Sequence, residues 1–476
     1  MVGITSFGAY IPIYRLSRDL IANSWGRGSL KGERSVANND EDSVTMAVEA
    51  GSDCLKGLDR KNVDGLFFAT SNAPYKEKLS AGLIATVLDL RKEVITADYA
   101  NSLRAGTAAL RGAVDTVKAG SANNVLVAAA DCRLAYPRSD QEQWFGDGAA
   151  ALTIGSDKVI ATIEASFSIN KEIMDVWKND DDQYVKVGEG RFILTEGYMA
   201  SMKEAISSIL DKSGKKASAI TKLVLPSPDY RTHIRLAKML GFDPDVQLED
   251  TLLGSIGHCG VAHPLMLLVA TLEKSNPGDT ILMASYGDGA EALLLRVTEE
   301  IAKIKPLWGI KNHLQSKMML TSYEKFLSFR GQLEPVPAEP FRTFPSASAY
   351  WRDQNSILRC HGSKCKKCGR SIFPVQRICF NCRSKDEYEE IRYAEQVGEI
   401  FTFSIDRLAG RSDDPVVVQT VFETEDGARF YLVMTDCDPE NAKIGQEIEF
   451  TFRRIYEGAG FHNYFWKCRP LRNGGM

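Results

Sequence analysis

Two Cys-x-x-Cys pairs carry the most specific chemistry in this chain. Cys365-Lys-Lys-Cys368 is followed, after ten residues, by Cys379-Phe-Asn-Cys382. Each pair forms a tight knuckle, and a hairpin between the knuckles brings four thiolates together, which suits tetrahedral zinc. A redox pair or free thiols are the competing readings. Four thiolates leave no open coordination position, so the zinc is expected to be structural and to hold a small ribbon together. Cys360 and His361 lie nearby but out of register.

The surrounding composition narrows the setting. The chain has 476 residues, 44% hydrophobic, with 58 Lys+Arg against 62 Asp+Glu. That is the balance of a globular protein of roughly two to four domains. A net charge of -4 argues against a dedicated nucleic-acid binder. Four of the ten cysteines fall in the two pairs, which suits a reducing compartment better than a disulfide framework. No apolar run approaches the roughly 18 residues of a membrane span, and no basic-then-apolar leader opens the chain. The expectation is a cytoplasmic protein with no nucleic-acid or membrane partner.

The residues that could position such chemistry fall into segments. Near-continuous apolar runs at 63–70, 124–131, 222–226 and 280–285 read as strands of a sheet covered on both faces. Helical stripes run over 107–117, 199–210 and 234–240. Alternation of the two argues for βαβ units. Gly146-Asp-Gly-Ala-Ala-Ala-Leu152 recurs as Gly287-Asp-Gly-Ala-Glu-Ala-Leu293, each after a buried strand. The matched order of neighbours predicts a duplicated α/β core about a pseudo-twofold axis.

Four prolines, Pro335, Pro337, Pro340 and Pro345, exclude regular helix and mark a linker at 331–345. The domains are therefore expected as 1–330, the α/β core; 346–392, a helix and the ribbon; and 393–476, a β-rich unit. In the last, five runs at 397–408, 415–424, 428–436, 446–455 and 460–469 predict a small OB-type barrel. Phe401, Phe403, Tyr431, Phe450 and Phe452 have the spacing of stacking groups for single strands, and equally of core residues. The balance of 19 Lys+Arg with 19 Asp+Glu over 346–476 favours core.

Residues 1 to about 300 resemble the thiolase superfamily, and within it the archaeal-type 3-hydroxy-3-methylglutaryl-CoA synthases. The resemblance rests on Ser285-Tyr-Gly-Asp-Gly289, similar to a SYGSG loop, and Ala105-Gly-Thr-Ala-Ala-Leu110, similar to the nucleophile helix. Residues 346–470 resemble the zinc-ribbon/OB-fold proteins that accompany thiolase-like enzymes on acyl-CoA. The implied fold is a duplicated thiolase-like α/β/α/β/α core joined to a zinc ribbon and an OB barrel.

The resemblance also exposes departures. It places the nucleophilic Cys at Leu103, the catalytic Glu at Ser71 and the strand-end His at Pro226. An acyl-enzyme needs an activated nucleophile beside a base, and these residues supply neither. In the other direction, a loop similar to GNTYSGSS matches Gly257-His-Cys-Gly-Val-Ala-His-Pro264, so Asn becomes His258, and the Ser of SYGSG becomes Asp288. True thiolases carry a His in a corresponding Gly-His-Pro loop, where it holds the thioester oxygen. His258 and Asp288 are therefore the candidate catalytic pair; a satisfied core histidine and a turn aspartate are the bland alternatives. Cys259 is the available replacement nucleophile, Cys132 reads as core, and His263 is unassigned. Arg191 matches a family Arg and Arg231 replaces a family Lys, which implies contacts to coenzyme A phosphates. Tyr286 and Tyr230 are further polar candidates.

Aldol-type cleavage or formation of a carbon–carbon bond in an acyl-CoA substrate needs no acyl-enzyme, only a base and an oxyanion donor. Steroid side-chain aldolases look similar, with a thiolase-like chain lacking the Cys beside a zinc-ribbon/OB chain. The leading expectation is an acyl-CoA aldolase or lyase. The alternatives are a silent acyl-CoA-binding or scaffolding subunit for a thiolase partner, and a synthase-type condensing enzyme. A homodimer is implied by resemblance.

Overall fold

The computed structural model describes residues 1–304, 308–333, 346–411 and 414–472. Nine strands form its main sheet: β1 (Gly3–Tyr10), β2 (Gly65–Ala69), β3 (Ile95–Tyr99), β4 (Val125–Asp131), β5 (Gly148–Gly155), β6 (Ala161–Asn170), β7 (Lys222–Val224), β8 (Thr280–Tyr286) and β9 (Gly289–Val297). They lie in the order β7-β8-β9-β6-β1-β5-β4-β2-β3. Apart from the edge strand β3, the order is symmetric about the β6–β1 junction. β2 runs parallel to β4 as β7 runs parallel to β8, and the pairings from there to the junction are antiparallel in both halves. The repeated Gly-Asp-Gly-Ala segments open the corresponding strands β5 and β9. The duplication expected from the repeat is present, and the four expected strands form within a residue or two of their apolar runs.

Helices make the remaining layers. The sheet-flanking helices are α1 (Ser43–Cys54), α2 (Ser80–Val87), α3 (Ala105–Lys118), α4 (Ala200–Ser213), α5 (Tyr230–Met239) and α6 (His263–Leu272). α3 and α6 share one core with strands of both halves, including Val127, Leu152, Met283 and Leu295. α1 and α2 cover the outer face of the first half. α4 and α5 cover that of the second. The result is the expected α/β/α/β/α stack. Within β2 the side chains alternate: Phe67 faces the central helices, while Leu66 and Phe68 face the outer layer, so both faces are buried. α1 starts at a capping box in which Asp42 accepts the Thr45 N–H and Thr45 returns a bond to the Asp42 N–H.

The Pro-rich linker expected at 331–345 falls mostly on residues outside those described. Beyond it, β10 (His361–Cys365), β11 (Ser371–Ile372) and β12 (Tyr388–Arg392) form the ribbon sheet. β13 (Val397–Asp406), β14 (Val417–Thr424), β15 (Arg429–Met434), β16 (Glu447–Gly458) and β17 (Phe461–Pro470) close into a five-stranded barrel. Phe450 and Phe452 lie in its core, as the alternation favours, with Phe422, Phe430, Tyr464 and Trp466. Phe401 and Tyr431 do not: they are 43% and 70% exposed. A bulge between Ile400 and Thr402 breaks the alternation on β13 and puts Ile400 inside instead of Phe401.

The barrel docks on α1 through a buried charge cluster. Arg453, with no exposed surface, meets Asp40 at 3.0 Å, Glu41 at 2.9 Å and Asp436 at 2.6 Å. Arg469 bridges Glu49 of α1 and Glu449 of the barrel at 2.8 and 2.7 Å. Burial would push these carboxyls up, but the guanidinium and ammonium groups of Arg453, Arg469 and Lys467 outweigh it for Asp40, Glu49 and Asp436, whose pKa values fall. For Glu41 burial wins, with a pKa of about 7. Tyr464 adds a hydroxyl bond of 2.7 Å to the α1 cap residue Asp42.

Candidate functional site

The site is built where loops converge on the start of α3. Asn101 takes a left-handed φ of 69°, and Ser102, Leu103 and Arg104 follow it into the helix. The Asp288 turn lies directly against them. A side-chain carbon at Gly287 would stand 3.0 Å from Leu103 Cβ. Ser102 donates its hydroxyl to Asp288 Oδ2 at 2.7 Å, and Arg104 holds the Asp288 carbonyl at 3.0 Å. Asp288 itself sits at φ 46°, a conformation held by this frame. The polar candidate Asp288 and the aliphatic Leu103 thus meet at one helix end.

His258 arrives from the other side. Its turn packs on α3 so closely that a side chain at Gly106 would meet the Val261 carbonyl at 2.7 Å. The His258 backbone donates to the Trp144 carbonyl at 2.7 Å and accepts from Gly146 at 3.1 Å, tying the turn to the loop before β5. Its Nδ1 accepts the Gly260 N–H at 3.2 Å, which assigns the proton of the neutral ring to Nε2. The ring stacks on His263, 4.5 Å between centroids. Burial, then His263 and Arg133, hold the His258 pKa well below the ordinary value, so the ring stays neutral. A neutral imidazole with a free Nε2–H is a hydrogen-bond donor toward an oxyanion.

Cys259 lacks the setting of an activated nucleophile. It is fully buried, its Sγ points back toward the Gly257 carbonyl at 3.8 Å, and burial raises its thiol pKa. Cys132 is core, as expected: it is 8% exposed and burial pushes its pKa up to about 11. His263 is fully buried with its pKa at about 4, and its Nδ1 accepts the Cys259 N–H at 3.4 Å.

Under the site lies Asp131, at the end of β4 and fully buried. It accepts from Thr70 Oγ1, from the Ser71 N–H and hydroxyl, and from the Val261 N–H, at 2.7 to 3.0 Å. Burial raises its pKa against these bonds and the nearby Arg133. Ser71 is thus consumed in holding Asp131. The close approach explains Gly260, where a Cβ would fall 2.0 Å from Asp131 Oδ2 and where φ is 54°. Pro226 offers only its carbonyl, which accepts from Tyr198 at 2.8 Å.

Arg191 and Arg231 are both exposed, on the turn Gly190–Phe192 and at the start of α5. Neither side chain has a hydrogen bond or ion pair among the described residues. Tyr230 is 56% exposed and donates to Asp250 at 3.3 Å. Tyr286 ends β8, and its hydroxyl packs where a side chain at Gly197 would stand 2.4 Å away.

In the ribbon, the ligand atoms of Cys365, Cys368, Cys379 and Cys382 lie within 4.8 Å of one another. The Cys365–Cys382 and Cys368–Cys379 sulfurs are each 3.6 Å apart. A tetrahedron with Zn–S bonds of about 2.3 Å has edges near 3.8 Å, so the thiol set fits zinc. The Ser384 hydroxyl is the first cause of a Cys365 thiol pKa lowered to about 6, the direction a thiolate ligand needs. His361 stands apart from the cluster, its ring between Asp89 at 2.9 Å and Glu390 at 3.2 Å.

Comparison with known proteins decides the lineage. Over 312 residues the chain is 31% identical to a hydroxymethylglutaryl-CoA synthase of Archaeoglobus fulgidus, covering 63% of this chain and 90% of that one. The chain belongs to the hydroxymethylglutaryl-CoA synthase family. A second member, from Caldivirga maquilingensis, is 30% identical over 69% of this chain and 97% of its own. A crystal structure of an HMG-CoA synthase complexed with CoA shares the fold, with a TM-score of 0.63 at 19% identity over 72% of this chain and 95% of that one. Residues 362–389 match the family described as ChsH2, rubredoxin-like zinc ribbon domain. A synthase-family core and a zinc ribbon are therefore fused in one chain.

Three residues beside the candidate site escaped the sequence reading: Ser102, Asp131 and Arg133. The available signal was Asp131-Cys-Arg133, two charges at the C-terminal end of a fully apolar strand, where α/β sheets place their binding groups.

Proposed function

We propose that the site at the start of α3 binds an acyl-CoA thioester and makes or breaks a carbon–carbon bond beside the thioester carbonyl, without a covalent acyl-enzyme. The observation that carries this reading is Leu103 at the helix start, with the neighbouring thiol of Cys259 buried and inert. His258, neutral and protonated on Nε2, donates to the thioester oxygen as negative charge develops there. In the cleavage direction Asp288 takes the proton of a β-hydroxyl, the carbon–carbon bond breaks, and the electron pair passes to the thioester enolate, which is then protonated. Formation is the reverse. Arg191 and Arg231 meet the phosphates of coenzyme A. The ribbon cysteines hold a structural zinc that takes no part in the reaction. A homodimer and a cytoplasmic location belong to the same reading.

The synthase relatives favour a second reading, a condensing enzyme of the synthase type. The two part on one measurement. The full chain is incubated with acyl-CoA thioesters, carbon–carbon products are followed by chromatography, and intact mass is recorded during turnover. Products with no acyl adduct support the aldol or lyase reading. An adduct that forms and decays at the turnover rate supports the condensing one, and absence of product with every thioester rejects both.

A further inference from the structure

The ribbon gathers positive charge that the chain as a whole lacks. From Lys364 to Lys385 there are seven Lys or Arg and no Asp or Glu, in a chain of net charge -4. The even balance over 346–476 averages this segment away. Lys366, Lys367, Arg383 and Lys385 are exposed at the two Cys-x-x-Cys knuckles, and none of them has an ion pair among the described residues. Arg377 is closed by Asp386, at 2.7 and 2.9 Å. The acids beyond it return along β12 toward the body, where Glu389 stands opposite Lys364 and Glu390 meets His361. A zinc held by four thiolates subtracts only part of the positive charge.

Two large apolar side chains stand among these cations. Ile378 is 53% and Phe380 54% exposed. Ile378 bridges to Lys385 through its backbone, and Phe380 lies under the Arg370 guanidinium, 5.4 Å from its ring centroid. Singly such exposure is ordinary; beside unpaired cations it makes an amphipathic surface. The ribbon offers no groove for a peptide or a base: the cavity bounded by Ser363, Cys379 and Tyr388 holds about 10 Å³. A single-stranded nucleic acid would use the cations and an aromatic ring but leave the aliphatic Ile378 in water. A bilayer uses all of them, with lysine and arginine on headgroup phosphates and apolar side chains at the acyl boundary.

We propose that the ribbon tip docks this chain on a membrane surface rich in anionic phospholipid, through the knuckle cations together with Ile378 and Phe380. The attachment is peripheral and needs no spanning helix. It runs against the expectation, drawn from the absence of a long apolar run, of no membrane partner. It does not depend on the chemistry proposed at the start of α3.

The test is sedimentation of the zinc-loaded full chain with vesicles of phosphatidylcholine alone and of phosphatidylcholine mixed equally with phosphatidylglycerol. Binding to the anionic vesicles is expected to be at least tenfold tighter and to weaken as salt rises. Lys366→Glu with Lys367→Glu, and separately Arg383→Glu with Lys385→Glu, are expected to weaken it at least tenfold. Ile378→Ser with Phe380→Ser is expected to weaken it several-fold and to leave the salt dependence in place. Equal binding to both vesicles, anionic binding untouched by either charge reversal, or capture of a single-stranded oligonucleotide without capture of vesicles overturns the inference. If a variant loses its zinc, hydrogen exchange in the unsubstituted chain decides: slowing over 366–385 on anionic vesicles supports the docking, and its absence there rejects it.

Discussion

The Ser102 hydroxyl donates to Asp288 Oδ2 across 2.7 Å, and the bond spans the Leu103 side of the α3 start. One carboxylate oxygen is thereby oriented, and the other is the one to which the proposed mechanism gives the proton. Replacing Asp288 by Asn keeps the Ser102 contact but removes the proposed base. Turnover is expected to fall by about 10²-fold or more. Ser102→Ala leaves the base and loosens its aim, with an expected loss of about tenfold. Equal turnover in Asp288→Asn and the unsubstituted chain, measured by product formation at saturating thioester, removes Asp288 from the mechanism.

The His258 ring is fixed as a donor by its bond from Gly260. His258→Ala is expected to lower kcat by about 10²- to 10³-fold, the cost of one oxyanion donor, with thioester affinity changed much less. His258→Gln keeps an N–H and is expected to recover part of the loss. A change confined to KM shows that the ring only shapes the site.

Metal analysis of the purified chain is expected to find one zinc per polypeptide. Cys365→Ser removes one thiolate of the set and is expected to cut bound zinc at least tenfold in competition with a chelator, and to open 360–392 to protease. Full zinc occupancy in that variant places the metal elsewhere.

Buried neutral histidines set the acid limit of the core. His233 and His263 have their pKa values lowered to about 4 by burial, and those of His258 and His313 fall well below the ordinary value. The unfolded chain protonates them near 6.5, so their contribution is complete above that pH and is lost as pH falls toward 4. A shift from 6.5 to about 4 corresponds to about 3 kcal/mol for the fully buried His263. The urea midpoint is expected to fall steadily between pH 6.5 and 4.5. A midpoint unchanged over that interval contradicts the burial of these rings in neutral form.

Local patterns made much of this architecture legible. The barrel strands announce themselves because turn residues such as Glu425-Asp-Gly427 separate β-rich runs, and the four cysteines because a tetrahedron demands their spacing. The duplication is readable because Asp147 and Asp288 stand in the same repeat. Asp288 and His258 were reachable only as departures from a resemblance. Arg133 carries no periodic signature; its place against Gly260 is a property of three-dimensional neighbours. The same holds for Arg453, whose partner Asp40 is 413 residues away, and for Phe401, which one bulge turned outward.

The charge cluster between barrel and α1 has a kinetic meaning. Asp40, Glu41 and Glu49 lie on the synthase-family part and Arg453, Lys467 and Arg469 on the barrel, yet one polypeptide carries them all. Their encounter is first order in protein, so dilution cannot part them, and each core is made with its own ribbon in fixed one-to-one ratio.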